Sequence, residues 1–206
     1  RTPLTSISGN ASNLMSNSVD FDEETRQRLY SDIYDDSMRL IILVENLLAV
    51  TRIEDGQMNL RLSAELLDEV IEEALKHVNR KSSSHEIRVE SCGEFLLARM
   101  DARLIVQVII NIVDNAVKYT PENGKIAIRL SMTEQNYSLS VFNSGSYISS
   151  TDVEAIFERF YQVDGHQAGT GIGLALVRAF VEMHGGNIAA HSDDKGTTFT
   201  VTFPKQ

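Results

Sequence analysis

The stretch from Ala102 to Thr120, with the sequence ARLIVQVIINIVDNAVKYT, decides the fold of the larger part of the chain. Apolar residues recur every three or four positions over residues 102–118, which predicts a helix that buries one broad face. Asn111 and Asn115 are four residues apart and share one edge of this helix, with Lys118 three positions further on. Such an edge can hold a metal ion and phosphate oxygens, but taken alone it is equally compatible with a polar surface.

A glycine cluster, Gly169-Thr-Gly-Ile-Gly173, opens a second predicted helix over residues 171–184. Free backbone N–H groups at a helix start favour an anion such as a polyphosphate, although a lone glycine cluster is also compatible with a flexible turn. The Rossmann spacing fails, because Leu174 and Ala175 stand where a later glycine is needed. The chain also contains no Gly-Lys-Ser/Thr, which excludes the Walker pattern.

A third polar segment, Asn143-Ser-Gly145-Ser-Tyr147, ends a strand predicted over residues 137–143. Alternating Tyr, Leu and Val side chains indicate that strand. Asn143 and Gly145 are typical of a polar notch or of a simple turn, and the segment by itself favours the turn.

The remaining pattern predicts an α+β fold with two parts. A helix over residues 24–55 follows a shorter opening helix, and turn residues 17–20 between them predict an antiparallel helical hairpin whose apolar stripe must pack on another copy or another domain. The stripe runs through Ile33, Ser37, Leu40, Val44 and Leu47.

After Asp55-Gly56 the pattern changes, so we place the boundary near residue 56. Ser63 is predicted to cap a helix that continues to His77. A further short helix is expected near residues 151–159. The expected strands, which look antiparallel, lie at 58–61, 86–90, 95–100, 125–132, 137–143, 187–191 and 197–203.

Composition narrows the function classes. The 206 residues include 29 acidic and 19 basic side chains, for a formal net charge of −10. This balance argues against binding to duplex nucleic acid. A single cysteine, Cys92, excludes an intramolecular disulfide, and no apolar run reaches the length of a membrane span. We therefore expect a cytosolic type of chain.

The order of the motifs resembles one family from end to end. The Asn111–Thr120 helix, Asn143-Ser-Gly145, Ile156-Phe-Glu-Arg159-Phe-Tyr161, the glycine cluster and Gly196-Thr-Thr-Phe199 are similar to the ATP-binding domain of sensor histidine kinases. Arg1-Thr-Pro-Leu4 resembles the tail of that family's phosphoacceptor box, His-acidic-Leu-Arg-Thr-Pro. Residues 43–56 and 100–104 are similar to the Kdp-type potassium and turgor sensors.

The resemblance implies a fold and a set of roles. Residues 1–56 would form the dimerisation hairpin, and residues 57–206 a Bergerat-type α/β sandwich with a mixed sheet on three helices. ATP and Mg²⁺ are the implied cofactors, with Asn115 completing the metal site and Asn143 and Thr197 facing adenine. Residues 161–168 would form a lid. The other residues implied in nucleotide binding are Asn111, Lys118, Tyr119, Gly145, Arg159, Gly169, Thr170, Gly171, Ile172, Gly173 and Leu174.

One motif departs from the family pattern. Relatives have Asp-x-Gly-x-Gly where this chain has Asn143-Ser-Gly145-Ser-Tyr147. An amide accepts a hydrogen bond from the adenine amino group without a charge, so we expect a loss of about 1 kcal/mol, or roughly five-fold in affinity. Tyr147 would crowd the pocket or stack on the base. Gln162 replaces an arginine that is frequent in relatives.

The implied activity is that of a protein histidine kinase core, the cytoplasmic portion of a membrane-anchored bacterial sensor, which passes phosphate to a receiver-domain response regulator. The membrane would be reached only through upstream segments. The phosphoacceptor histidine belongs three residues before Arg1, so the printed polypeptide is expected not to autophosphorylate by this route. Thr2 resembles a position that supports phosphatase activity.

Two alternatives stand beside this interpretation. Related gyrase-type and chaperone-type ATPases carry a glutamate base where this chain has Asn111, which disfavours efficient hydrolysis. A degenerate kinase that acts as a dimeric scaffold or phosphatase would bind ATP weakly or not at all. Of the histidines, His184 is expected to be a cation near a glycine helix cap, and the others lack metal-ligand spacing.

Overall fold

The computed structural model describes residues 2–16, 21–54, 58–78, 85–92, 96–145, 147–163 and 171–205. By packing, the chain divides into two units, Arg1–Thr51 and Arg52–Gln206. In the first unit, helix α1 spans Thr2–Met15 and helix α2 spans Glu23–Glu54. The predicted turn at residues 17–20 lies outside the described residues.

Helix α2 begins with a side-chain cap. The Asp22 carboxylate accepts a hydrogen bond from the Thr25 backbone N–H at 2.7 Å, and hydrogen bonds from Thr25 lower the pKa of this carboxyl group. Glu23 and Glu24 add negative charge in the first turn, where the helix dipole favours it.

The apolar stripe of α2 is only partly covered within one chain. Ile33, Ser37 and Leu40 are half-buried, whereas Val44 is 52% exposed and Leu47 is also exposed. Large exposed side chains follow one another at steps close to a heptad: Tyr30, Tyr34, Ile41, Val44 and Leu48. The helix therefore presents an uncovered apolar face.

The second unit is a sheet covered by helices, which confirms the predicted α+β architecture. Its elements are β1 (Ser63–Leu66), α3 (Leu67–Val78), β2 (Ile87–Glu90), β3 (Leu97–Met100), α4 (Ala102–Tyr119), β4 (Ile126–Met132), β5 (Asn136–Asn143), a 3₁₀ turn (Ala155–Phe157), α5 (Gly173–Met183), β6 (Asn187–Asp193) and β7 (Gly196–Pro204). The main sheet has the order β2-β4-β5-β7-β6, and β1 pairs with β3 separately.

Alternation along the strands builds the core. Side chains that point to the helices are buried, whereas their neighbours along the strands are not. Helices α4 and α5 pack together and against the sheet, and α3 packs on α4. Among the buried core residues are Ile126, Ile128, Leu130, Leu139, Val141, Phe199, Val201 and Phe203.

Three sequence predictions about elements are wrong. Ser63 does not cap a helix; it begins β1 and pairs with Met100, and the residues 58–61 before it are not a strand. The helix expected at residues 151–159 is reduced to turns and the short 3₁₀ segment. Strand β2 pairs with β4 in parallel, so the antiparallel appearance of the strand pattern is wrong here, whereas the mixed sheet implied by the resemblance is confirmed. In the first and third cases the partner strand is distant in sequence, which local periodicity does not report.

Within the described residues, no helix has both the length and the apolar character needed to cross a membrane.

Candidate functional site

One edge of α4 carries polar side chains along its length. Asn111, Asn115 and Tyr119 are spaced four residues apart, so they lie on one side of the helix, and the core residues lie on the other. The Asn111 Nδ2 donates a hydrogen bond to the Gln107 carbonyl at 2.9 Å. This bond fixes the amide, with its Oδ1 atom close to Gly173.

The start of α5 meets α4 at this point. A Cβ atom at Gly173 would lie 3.0 Å from the Asn111 Oδ1, so glycine keeps the space between the two helices open. Ile172, before the helix, makes no side-chain capping hydrogen bond. The first N–H groups of α5 and the positive end of its dipole are therefore suited to an anion beside Asn111.

A backbone hydrogen bond brings the segment after the 3₁₀ turn next to α5. The Phe160 N–H donates to the Gly171 carbonyl at 2.8 Å, and both residues have positive φ angles, 63° and 66°. A Cβ at Gly171 would lie 2.7 Å from the Phe160 backbone, so this approach requires glycine. Arg159, whose side chain is exposed, directly precedes Phe160, the residue that this hydrogen bond places next to Gly171.

The loop around the 3₁₀ turn is held by Asp152. Its carboxylate accepts hydrogen bonds from the Tyr161 Oη at 2.7 Å and from the Ser149 Oγ at 2.8 Å. These two bonds lower the pKa of Asp152, and the same carboxylate raises the pKa of Tyr161. The turn then buries Ile156 and Phe157 against the core.

At the other end of the α4 edge lies a buried amide. Asn143, the last residue of β5, is 2% exposed, and its side chain makes no hydrogen bond to any described residue. A Cβ at Gly145 would overlap both the Asn143 amide and the Tyr119 carbonyl. Glycine at this position therefore allows the β5 end to contact the end of α4.

Thr197 on β7 lies beside Asn143 in the sheet register and is equally buried, at 2% exposure. Its Oγ1 atom is 2.8 Å from the Ser192 Oγ, which accepts a hydrogen bond from the Ile148 N–H at 2.9 Å. The wall of the site near Asn143 is therefore made of hydroxyl and amide groups.

The two ends of the site are separated by the length of α4 from Asn111 to Tyr119, about 12 Å at 1.5 Å per residue. The β5 end provides a buried amide that suits the polar edge of a planar ring. The α5 end provides amide groups and helix N–H groups that suit phosphate oxygens. This arrangement fits a nucleotide bound along α4.

Family models cover both units of the chain. The His Kinase A (phospho-acceptor) domain matches residues 1–56. The family of histidine kinase-, DNA gyrase B- and HSP90-like ATPases matches residues 100–206, more than half of the chain. The chain belongs to the sensor histidine kinases.

Individual relatives agree with this family. The sensor protein KdpD of Clostridium acetobutylicum is 34% identical over all of this chain, which corresponds to 23% of that protein. The solved histidine kinase AdeS of Acinetobacter baumannii has a TM-score of 0.80 and 26% identity, with 100% of this chain and 96% of that one covered. A structure of histidine kinase ThkA in complex with response regulator protein TrrA has a TM-score of 0.71 and 28% identity, and the match covers 99% of this chain and 58% of that one.

This sensor histidine kinase sequence spans between 23% and 44% of the length of the first curated relatives that it matches. The Kdp-type resemblance predicted from the sequence is confirmed by the KdpD relative. The ATP-binding character is confirmed at the level of the family.

The residues of the kinase site fit a magnesium ion that is shared with a phosphate group. The Asn115 amide offers the hard oxygen ligand that Mg²⁺ prefers, and Mg²⁺ commonly takes few protein ligands and completes its shell with phosphate oxygens and water. Within the described part of the chain, no group of three or more His, Cys, Asp or Glu side chains is arranged for a metal. Asn115 is half-buried on the α4 edge.

Lys118 and Tyr119 form a pair at the end of the same helix. The Lys118 Nζ donates a hydrogen bond to the Tyr119 Oη at 2.9 Å and lies 4.5 Å from the centre of the ring. The ammonium group is thereby held near the α4 edge.

Some predicted site residues lie outside the described part of the kinase. Gly169 and Thr170 are not described, nor are residues 164–168 of the predicted lid. Thr2 begins α1, but its side chain is not described. Gly171, Ile172, Gly173 and Leu174 stand at the start of α5 as predicted.

Sequence reasoning missed Asp101, which is 1% exposed between β3 and α4. Its carboxylate accepts hydrogen bonds from Arg103, at 2.9 Å from Nη2, and from the Arg61 N–H at 3.0 Å. Burial raises the pKa of Asp101, but the hydrogen bonds from Arg103 and Arg61 outweigh it and leave the pKa below its ordinary value. An aspartate directly before an apolar helix is a signal for a cap, yet this side chain makes no capping bond.

The expected role of His184 as a cation is wrong. This side chain is 5% exposed, its Nε2 accepts a hydrogen bond from the Asp101 N–H at 3.1 Å, and its Nδ1 lies 2.7 Å from the Phe180 carbonyl. A nitrogen that accepts cannot carry a proton, so the ring is neutral with its proton on Nδ1. The glycine cap itself is present, since Gly185 has a φ of 71° and Gly186 donates to Val181.

Proposed function

We propose that this chain binds Mg·ATP along the α4 edge and phosphorylates a histidine, from which a response regulator takes the phosphoryl group. The observation that carries the proposal is the pairing of a buried Asn143 amide, which makes no hydrogen bond to a described residue, with the N-terminal end of α5, at opposite ends of one helix edge. Bound Mg·ATP would supply the phosphoryl group; the chain supplies position and charge.

Each part of the site has a defined task in this proposal. Asn143 and Thr197 bind the base edge, and Gly145 keeps room for them. Asn115 ligates the metal, while the Asn111 amide and the first N–H groups of α5 orient the phosphates. Lys118 and Arg159 add positive charge near the developing negative charge of the transferred group. Gly169 and Thr170, which precede Gly171 in the glycine cluster, are proposed to contribute to the same phosphate-binding segment.

The identity of residue 111 favours transfer to a protein group over hydrolysis. A water molecule needs a base to take its proton, and an amide does not accept one. The Asn111 Nδ2 is already engaged with Gln107, so the side chain is held in a positioning role. We therefore infer a kinase with slow ATP hydrolysis.

The partners and location follow from the same proposal. We infer a homodimer through the hairpin, because α2 presents an uncovered apolar face. We place the domain boundary near residue 56 and the phosphoacceptor histidine upstream of Arg1. Thr2, the first residue of α1, is proposed to support phosphatase activity. The complex of ThkA with TrrA supports a receiver-domain partner, and we place the chain in the cytoplasmic part of a membrane-anchored bacterial sensor.

Calorimetric titration with a non-hydrolysable ATP analogue and Mg²⁺ tests the nucleotide site. We expect micromolar to low-millimolar binding, and we expect Asn115→Ala to remove it without changing the fold, because the metal loses its protein ligand. Asn187→Ala, an exposed asparagine at the start of β6, is the matched control. Undiminished affinity in Asn115→Ala would refute the metal site.

Absence of binding by the folded protein would instead favour a scaffold or phosphatase role. If binding is found, a longer chain that includes the histidine three residues before Arg1 should become phosphorylated on that histidine, and its phosphoryl group should pass to a receiver domain.

A further inference from the structure

The Asn143 side chain determines what kind of base edge the site can accept. It is 2% exposed, it ends the central strand β5, and no described residue makes a hydrogen bond with its amide. Among the described residues, no fully buried side-chain nitrogen or oxygen lacks a partner. The amide therefore keeps a small solvent contact, and we infer that a ligand would meet it there.

A primary amide can present its two polar atoms in either order. Its oxygen accepts and its NH₂ group donates, and a rotation of 180° about the last side-chain bond exchanges them at almost no change in shape. A 6-aminopurine places an amino donor beside a ring-nitrogen acceptor. A 6-oxopurine places an oxygen acceptor beside a ring N–H donor, so each edge complements one orientation of the amide.

The hydroxyl groups beside Asn143 form a contact in which the donor and the acceptor can also be exchanged. Thr197 and Ser192 are hydroxyl groups 2.8 Å apart, and either of them can be the donor in that contact. The Ile148 N–H donates to Ser192 and leaves that hydroxyl a free choice of direction toward Thr197. The amide can thus reverse its hydrogen bonds when the base edge is reversed, beside a hydroxyl contact in which either oxygen can donate.

A carboxylate at position 143 would behave differently. It only accepts hydrogen bonds, so where it faces position 6 it would bind the amino group of a 6-aminopurine and repel the oxygen of a 6-oxopurine, whose ring N–H it would reach only if the base shifted along its edge. The Asn143 amide, which both donates and accepts hydrogen bonds, imposes no such preference for an amino group over an oxygen.

We infer that the base pocket does not discriminate between 6-amino and 6-oxo purine nucleoside triphosphates, so that the kinase accepts both classes as phosphoryl donors. The inference rests on the proposed nucleotide site and specifies its substrate class. It assigns Asn143 as the residue that sets this breadth.

Calorimetric titration with ATP and with inosine triphosphate (ITP), each with Mg²⁺, tests the inference. ITP differs from ATP only at position 6 and at the adjacent ring nitrogen, whereas GTP adds a second change at position 2. We expect the two dissociation constants of the unmodified chain to agree within about five-fold. In Asn143→Asp, the preference for ATP over ITP should rise at least ten-fold, because the buried oxygen atoms then face each other unpaired.

The matched control is Thr198→Ala. Thr198 is adjacent to Thr197 on β7 but on the opposite side of the strand, so its replacement should leave the ratio of the two affinities unchanged. Thermal unfolding of both variants verifies that they fold.

The outcomes separate the two claims. If neither nucleotide binds to the folded chain, the proposed function fails. If ATP binds and ITP binds more than ten-fold more weakly, the nucleotide site stands and the inference on base selectivity is overturned. An unchanged ratio in a folded Asn143→Asp protein would also overturn the role of the amide, whatever the ratio in the unmodified chain.

Discussion

At the scale of single residues, Asp101 joins three parts of the second unit. Its carboxylate holds Arg103 on α4 and the backbone of Arg61, and its own N–H donates to His184 after α5. These bonds connect the segment before β1 with both helices of the proposed nucleotide site. Because the carboxylate is buried, its loss would leave several donors without a partner.

Asp101→Asn should destabilise the second unit by about 1–2 kcal/mol at pH 7, because it weakens hydrogen bonds of a buried carboxylate, one of which is shared with the exposed Arg103 guanidinium. The pKa of Asp101 is lowered in the folded state, so its contribution is present above the ordinary aspartate pKa of about 3.9 and is lost as the pH falls through the folded value. Urea unfolding at pH 7 and near pH 3 measures this.

The difference between Asp101→Asn and the unmodified chain should therefore shrink in acid. Asp194→Asn, in the exposed turn between β6 and β7, is the control and should change little at either pH. An equal destabilisation at both pH values would mean that the charge of Asp101 contributes nothing.

Asn143→Asp should tighten ATP binding roughly five-fold, because the hydrogen bond to the amino group becomes charge-assisted. The expected gain is about 1 kcal/mol. Calorimetry at fixed salt concentration checks it, with Asn187→Asp as a control for the added charge. Equal or weaker affinity would show that the adenine amino group is bound elsewhere.

At the scale of elements, the periodicity of apolar residues predicted those helices and strands whose conformation depends on their own sequence, but not those that depend on a distant partner strand. Helix α4 was predicted at residues 102–118 and spans Ala102–Tyr119. The prediction is accurate because the spacing of the apolar residues along this segment already marks the face that the helix buries. Strand β1 was missed because Ser63 acquires its conformation by pairing with Met100, which no local pattern reports.

The site was predictable to a similar extent. The motif residues Asn111, Gly173 and Asn143 were identified from their order along the chain. The contacts of Asn111 with Gly173 and of Gly145 with Tyr119 depend on the packing of distant elements, so the sequence did not reveal them. The neutral ring of His184 was missed for the same reason, because its partner Asp101 lies 83 residues away.

A substitution at the start of α5 should change the affinity for ATP without a matching change in the free energy of unfolding. Gly173→Ala adds a methyl group 3.0 Å from the Asn111 Oδ1, so the Asn111 amide, which is held by Gln107, must shift by a few tenths of an ångström. This cost opposes the gain of up to about 1 kcal/mol from lower backbone entropy in the unfolded state, and we expect little net change in the free energy of unfolding. The same methyl group narrows the space for phosphate, and we expect at least ten-fold weaker ATP binding. Thermal unfolding and calorimetry on one sample measure both effects.

Gly171→Ala provides the contrast. Its positive φ and the close Phe160 backbone make any side chain strained, so this variant should lose stability as well as affinity. If Gly173→Ala binds ATP normally, the α5 start does not contact the phosphates.

At the scale of the whole molecule, we expect the exposed apolar face of α2 to mediate the proposed homodimer. Val44→Glu places a charge in the middle of the exposed stripe, and we expect it to raise the dimer dissociation constant at least ten-fold. Arg28→Gln, an exposed position on the opposite side of α2, changes the net charge by the same amount away from that stripe and is the control. Sedimentation equilibrium measures the assembly, and a dimer that survives Val44→Glu would move the interface elsewhere.

The strand order has a consequence for biosynthesis. Strand β7 lies between β5 and β6, so β6 has no neighbour in the sheet until residues 196–204 have left the ribosome. Thr197 also arrives with this late strand, so a nascent chain lacks one wall of the proposed base pocket. We therefore expect ATP not to assist the early stages of folding, and the proposed site to bind its ligand only after β7 has been translated.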